Sequence, residues 1–184
     1  MSFWNDDGLR FWEQAGLGKA ADLITEGQPR HMAESVRYDS MQHVDYIRLQ
    51  IYRMGPWIWQ VHENQSYLGR LILRLERPET GSLSVCTTDE WLSLHESIRA
   101  YEGFLSQLFS PDRFNYSQMG NIFPQLHVQV VPRYKSERVW QHSIFGDAKW
   151  GHNWAPTPRS PLTLQQTYDL AAWLQSEIRT RITQ

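Results

Sequence analysis

Residues 121–134 read NIFPQLHVQVVPRY. Between the two prolines, Gln125-Leu126-His127-Val128-Gln129-Val130-Val131 places a polar residue at every second position. In an extended chain, successive side chains point to opposite faces of a sheet. Leu126, Val128 and Val130 are therefore expected against a core, with Gln125, His127 and Gln129 together on the other face. Alternate residues stand roughly 6.5–7 Å apart along a strand, a spacing that lets three side chains surround one tetrahedral group such as a phosphate. Pro132 has no amide hydrogen and is expected to stop regular pairing just beyond the row.

The residue types give the row a division of labour. A neutral imidazole titrates near neutrality and carries one free lone pair, so it serves as nucleophile or base. Glutamine does not titrate; it donates from its amide nitrogen and accepts at its oxygen. The row offers one reactive group between two fixed hydrogen-bonding groups. The same alternation also suits the solvated face of an amphipathic strand, and the motif alone does not choose between them.

Outward from the row, the chain reads as α+β. Tyr46 to Ile51, Trp57 to Val61 and Tyr67 to Glu76 are strand-like and joined by short loops, which predicts an antiparallel meander. Thr87 and Glu90 form a capping box ahead of a helical stripe of Trp91, Leu94, Ile98, Tyr101, Leu105 and Leu108, ended at Ser110-Pro111. Phe114 to Gln118 is a short strand. Residues 135–162, with five glycines and prolines, read as an irregular tail. Thr163 and Gln166 start a closing helix with a stripe of Leu164, Tyr168, Ala171, Leu174, Ile178 and Ile182. Residues 1–40 read as a helical arm and 41–184 as the main domain, with its motif strand at 125–131 and its tail and helix at 135–184. The expected architecture is a mostly antiparallel sheet with a long helix on one face.

Composition narrows the function classes. A chain of 184 residues with 41% apolar and 21% charged residues suits an ordinary globular domain. A net charge of −2 and the lack of a basic stripe argue against nucleic-acid binding. A single cysteine, Cys86, points to a reducing cytoplasm. The start MSFWNDDGLRFWEQ lacks a secretory pattern, and no apolar run suggests a membrane span. Nine tryptophans are read mainly as packing residues. His31, His43, His62 and His95 share no spacing, His142 and His152 sit in the tail, and no pair has zinc-ligand spacing. No metal or other cofactor is expected.

The row resembles the signature of the histidine triad (HIT) superfamily, His-φ-His-φ-His-φ-φ with φ apolar, followed here by Pro132-Arg133-Tyr134. Tyr67-Leu68-Gly69-Arg70-Leu71-Ile72-Leu73 is similar to the family's Gly-His-Leu-Leu-Val strand, with Arg70 in place of histidine. Thr88-Asp89-Glu90 and Phe114-Asn115-Tyr116 fall in the family's order, and Phe145-Gly146-Asp147-Ala148-Lys149-Trp150-Gly151 is similar to a proline- and tryptophan-containing tail in some bacterial members. The resemblance implies a twisted antiparallel sheet, a homodimer, and a nucleotide hydrolase or nucleotidyl transferase acting on a nucleoside phosphate, such as a dinucleoside polyphosphate or phosphoramidate. It assigns His127 as nucleophile and Gln129 as holder of the phosphate. Gln125, Asn115, Asn121 and Arg70 become further candidates for phosphate or nucleotide contact. Glutamine at the third position is shared with the uridylyltransferase and dinucleoside-polyphosphate phosphorylase branches. A nucleotide-binding protein with little turnover, and a dimeric interaction domain, are the alternatives.

Overall fold

The extended run after residue 44 builds three strands, β1 (Gln50–Met54), β2 (Trp57–Val61) and β3 (Leu71–Leu75). In the computed structural model, residues 44–77, 81–120 and 123–181 are described. The expected arm at 1–40 and the site candidate Asn121 lie outside the described residues. The chain divides into two units, Met1–Ile47 and Arg48–Gln184, and every element named here belongs to the second.

After β3 come a single 3-10 turn and helix α1 (Thr88–Phe109), then β4 (Arg113–Ser117) and β5 (His127–Arg133). A hairpin follows, β6 (Arg138–Trp140) with β7 (Ser143–Phe145), and helix α2 (Leu164–Arg181) is the last described element. Five strands form an antiparallel sheet in the order β1-β2-β3-β5-β4. The chain leaves β3 through α1, returns at the edge as β4, and then fills the gap between them with β5. The fold is α+β, as the order of elements predicts.

One face of the sheet is a dry core. Trp57, Trp59, Leu71, Leu73 and Leu75 are all fully buried, and Leu126, Val128 and Val130 lie with them as the alternation requires. Helix α1 begins with the capping box: Thr87 Oγ1 accepts from the Glu90 amide while Glu90 accepts from the Thr87 amide. Trp57 Nε1 donates to the Glu90 carbonyl at 2.9 Å, and the Trp59 and Tyr101 rings meet edge-on at 5.3 Å. Gly69 has φ +81, and a Cβ there would lie 2.8 Å from Leu105. Glycine is thus required twice over, for its backbone angle and for the close approach of α1. Tyr101 Oη donates to the Gly69 carbonyl at 2.5 Å, fixing the turn that leads into β3.

Several boundaries differ from the sequence reading. The buried side of α1 is Leu94, Ser97, Tyr101, Phe104, Leu105 and Phe109, while Trp91 is 45% exposed. The apolar stripe is therefore rotated from the expected one, with Ser97, Phe104 and Phe109 turned inward and Trp91 turned outward. Pro132 does not end its strand. It pairs with Phe114 of β4, and only the pairing with β3 stops, at Leu71 opposite Val130. The missing proline donor falls where β3 has no matching position. The tail is not wholly irregular, since β6 and β7 pair across a turn at Gln141, whose φ is +50. Among the described residues no helix is long and apolar enough to cross a membrane.

Candidate functional site

The second face of the sheet carries the polar row. His127 and Gln129 are 6% and 7% exposed, and Arg70 and Arg74 are 4% and 2% exposed. Arg74 is the cross-strand partner of His127, and Ile72 is that of Gln129. Directly opposed residues share a face, so Arg74 stands beside the imidazole. Arg70, one residue before β3, points the same way and reaches Gln129.

His127 is held in one tautomer. Its Nδ1 lies 2.7 Å from the Gln125 main-chain carbonyl. A carbonyl only accepts, so Nδ1 carries the hydrogen and Nε2 carries the lone pair. Nε2 has no hydrogen-bond partner among the described residues. The Phe123 ring packs edge-on against the imidazole at 5.7 Å.

Gln129 is oriented just as firmly. Arg70 Nη2 donates to Gln129 Oε1 at 2.5 Å. A guanidinium only donates, so this contact fixes the amide with its oxygen toward Arg70 and its nitrogen free to donate elsewhere. Burial pulls the Arg70 pKa down to about 10, partly offset by Glu63, and the side chain remains a cation at neutral pH. Its guanidinium carbon sits 4.9 Å from the centre of the Trp154 ring. Nε and Nη1 of Arg70 are buried and make no hydrogen bond. On the other side of Gln129, across β4, Ser117 Oγ is likewise buried and unbonded.

Gln125 contributes in another way than its position suggests. Its side-chain nitrogen donates to the Leu75 carbonyl at 2.8 Å, and its own carbonyl holds His127. Asn115 lies two strand positions further along, paired with Val131. Its Oδ1 accepts from Arg133 at 2.6 Å, and it lines a cavity of about 290 Å³ with Arg113, Arg133, Trp150, Gly151 and His152. That cavity includes neither His127, Gln129 nor Arg70. The structure therefore brings His127, Gln129 and Arg70 together and sets Asn115 apart, in the cleft next to them.

Two neighbours were not among the expected site residues. His62 follows β2 and lies opposite Arg70, its amide donating to the Arg70 carbonyl at 3.0 Å. Burial, then the charge of Arg70, then His127 hold its pKa well below the usual histidine value. Its Nδ1 accepts from the Asn64 amide at 3.0 Å, so the 3.2 Å approach of Glu63 to the same nitrogen is no ion pair. Arg74 did have a signal: in YLGRLILRLE, Arg70, Ile72 and Arg74 alternate with leucines and so share the polar face.

No protein-family model and no curated protein matches the chain. Solved structures do match. A histidine triad protein of Bradyrhizobium japonicum aligns at a TM-score of 0.53 and 19% identity, over 70% of this chain and 89% of that one. A histidine triad protein of Marinobacter aquaeolei aligns at 0.52 and 22% identity, over 71% and 88%. Diadenosine triphosphate hydrolase of Plasmodium falciparum, solved with cyclomarin A, aligns at 0.54 and 12% identity, over 73% and 78%. At these identities the likeness is one of fold: the chain has a histidine triad-like fold.

Proposed function

We propose that the protein is a nucleotide hydrolase or nucleotidyl transferase in which His127 Nε2 attacks the α-phosphorus of a nucleoside phosphate. The observation that carries this reading is the 2.7 Å contact between His127 Nδ1 and the Gln125 carbonyl, which leaves Nε2 with the lone pair. In the first step an Nε2–P bond forms as the P–O bond to the leaving group breaks, and the leaving oxygen takes the electron pair. Nδ1 keeps its hydrogen throughout. The imidazole becomes cationic, and the Gln125 carbonyl stabilises that charge. Gln129, its oxygen occupied by Arg70, offers its amide nitrogen to a non-bridging oxygen. In the second step water or a phosphate acceptor attacks phosphorus, the P–N electron pair returns to Nε2, and the proton that attacking water loses passes to solvent.

Gln129 cannot hand a proton to a leaving group. The reading therefore favours leaving groups that depart as anions. The cleft at Asn115 is assigned to the nucleoside end, and a homodimer is proposed from the fold. A second reading, nucleotide binding with little turnover, is favoured by the small exposure of His127, 6%.

The test is turnover on adenylated, guanylated and uridylated polyphosphates and phosphoramidates. Removing a nucleophile costs the whole covalent route, so His127→Ala should lower the rate by at least about 10³-fold. Gln129→Ala should lower it by about 10²-fold, the scale for one oxyanion donor. Tight binding with no product in the native protein supports the second reading. No binding of any nucleotide overturns both.

A further inference from the structure

The cleft next to the His127–Gln129 pair is walled by groups that differ in how far their hydrogen bonding is spent. On β4, Arg113, Asn115 and Ser117 stand opposite Arg133, Val131 and Gln129 and so share their face. Asn115 lies two strand positions from Ser117 and Arg113 lies four, about 7 and 13 Å along an extended chain. A nucleoside whose phosphate sits at Gln129 therefore has its sugar near Asn115 and its base toward Arg113. The cavity there, about 290 Å³, has room for a planar base.

The amide, main-chain and carboxylate acceptors around this cleft are taken. Arg133 holds Asn115 Oδ1, the His152 and Lys149 carbonyls and the Asp147 carboxylate. Among the described residues no acidic side chain lines the cavity. The donors of Arg113 are mostly unspent. Its Nη1 donates to the carbonyl of its neighbour Asp112 at 2.9 Å, while Nε and Nη2 make no hydrogen bond among the described residues. Those two N–H groups form one edge of the guanidinium, a fork that meets two acceptors lying side by side. Trp150 adds an indole ring to the same wall. At Gly151, with φ +84, a Cβ would meet nothing within 4 Å, so the wall beside the ring is open.

We infer that this cleft selects guanine over adenine, with the Nε–Nη2 edge of Arg113 reading O6 and N7 beside the Trp150 ring. Guanine presents two adjacent acceptors, the pattern that arginine meets bidentately. Adenine carries an amino group where guanine has O6, which sets donor against donor. Uracil offers O4 with no second acceptor next to it. The inference rests on the nucleotidyl-transfer reading for the position of the phosphate and adds the base that the reading leaves open.

The test is calorimetric binding of the 5′-monophosphates of guanosine, adenosine, uridine and cytidine, which share one phosphate and differ only in base. Guanosine monophosphate should bind about tenfold to a hundredfold more tightly than adenosine monophosphate, the scale of one bidentate arginine contact. The ratio should fall to about one in Arg113→Met, and also in Arg113→Lys, which keeps the charge and loses the fork. Trp150→Leu should weaken all four by a similar factor, about tenfold, because stacking is tolerant of sequence. Equal guanosine and adenosine affinities in the native protein overturn the inference, as does a preference for uridine. A guanosine preference that survives in Arg113→Lys overturns it as well, and so does binding of none of the four. A nucleotidyl group on His127 formed equally from guanylated and adenylated substrates would leave the function standing and sink the base selection. A guanosine preference lost in Arg113→Met, with no nucleotidyl group on His127 from any substrate, would do the reverse.

Discussion

Arg70 and Arg133 face the same side of the sheet and are each 4% exposed, yet their hydrogen bonding is opposite. Arg133 uses all of its donors. Nε and Nη2 clamp Asp147 at 2.6 and 3.1 Å, Nη1 serves Asn115 Oδ1 and the His152 carbonyl, and Nη2 also serves the Lys149 carbonyl. The Asp147 side chain is 1% exposed. Arg70 makes one such bond and leaves two nitrogens idle. The first arginine ties residues 147–152 to β5, so its work is finished within the chain. The second orients Gln129 through one nitrogen and keeps its other donors unmet. Equal burial thus marks two roles, and the count of met donors separates them.

The largest effect expected from this contrast is on stability. Arg133→Met leaves the Asp147 carboxylate buried without its partner and should cost about 3–5 kcal/mol in denaturant unfolding. Adding Asp147→Leu should recover part of the loss, since a pair replaced by apolar side chains is better tolerated than a broken one. Arg70→Met should change stability by no more than about 1 kcal/mol, and in the stabilising direction, because it removes a buried cation that burial already penalises. If Arg70→Met unfolds the protein as readily as Arg133→Met, the division of roles collapses.

A smaller effect follows from His62. Its folded pKa lies below the ordinary 6.5, so between those two values the unfolded chain binds the extra proton. Its contribution is present above pH 6.5 and is lost as the pH falls through the folded value. Burial raises the Glu63 pKa above 4.5, which works in the opposite direction at the lower end of that window. The difference between native protein and His62→Gln isolates the histidine. Unfolding measured from pH 7.5 to 5 should show the native protein losing more stability than the variant. A constant difference across that range would mean that Arg70 and burial do not hold His62 neutral.

The sequence carried more of the local structure than of the site. The alternation in QLHVQVV places Leu126, Val128 and Val130 in the core because a strand has period two, and the Thr87–Glu90 box starts α1 because its two hydrogen bonds are local. Pairing across the sheet is not local. Arg74 opposite His127 depends on β3 lying beside β5 in one register, which the alternation in YLGRLILRLE supports for its face but cannot specify. The same holds for His62, placed beside Arg70 by the turn from β2 to β3. The hairpin of β6 and β7 escaped notice because each strand has three residues and the paired Val139 and Ile144 are 63% and 59% exposed, leaving no buried period to read. Asn115 was legible as a polar residue on a strand. Its capture by Arg133, across the sheet from a different element, was not.

The most direct test of the account is acid-free quenching of the protein with a nucleoside polyphosphate, followed by peptide mass spectrometry. A nucleotidyl group on His127, formed in the native protein and missing from His127→Ala, is the predicted result. A nucleotidyl group on any other residue, or product formed at the native rate by His127→Ala, would contradict it.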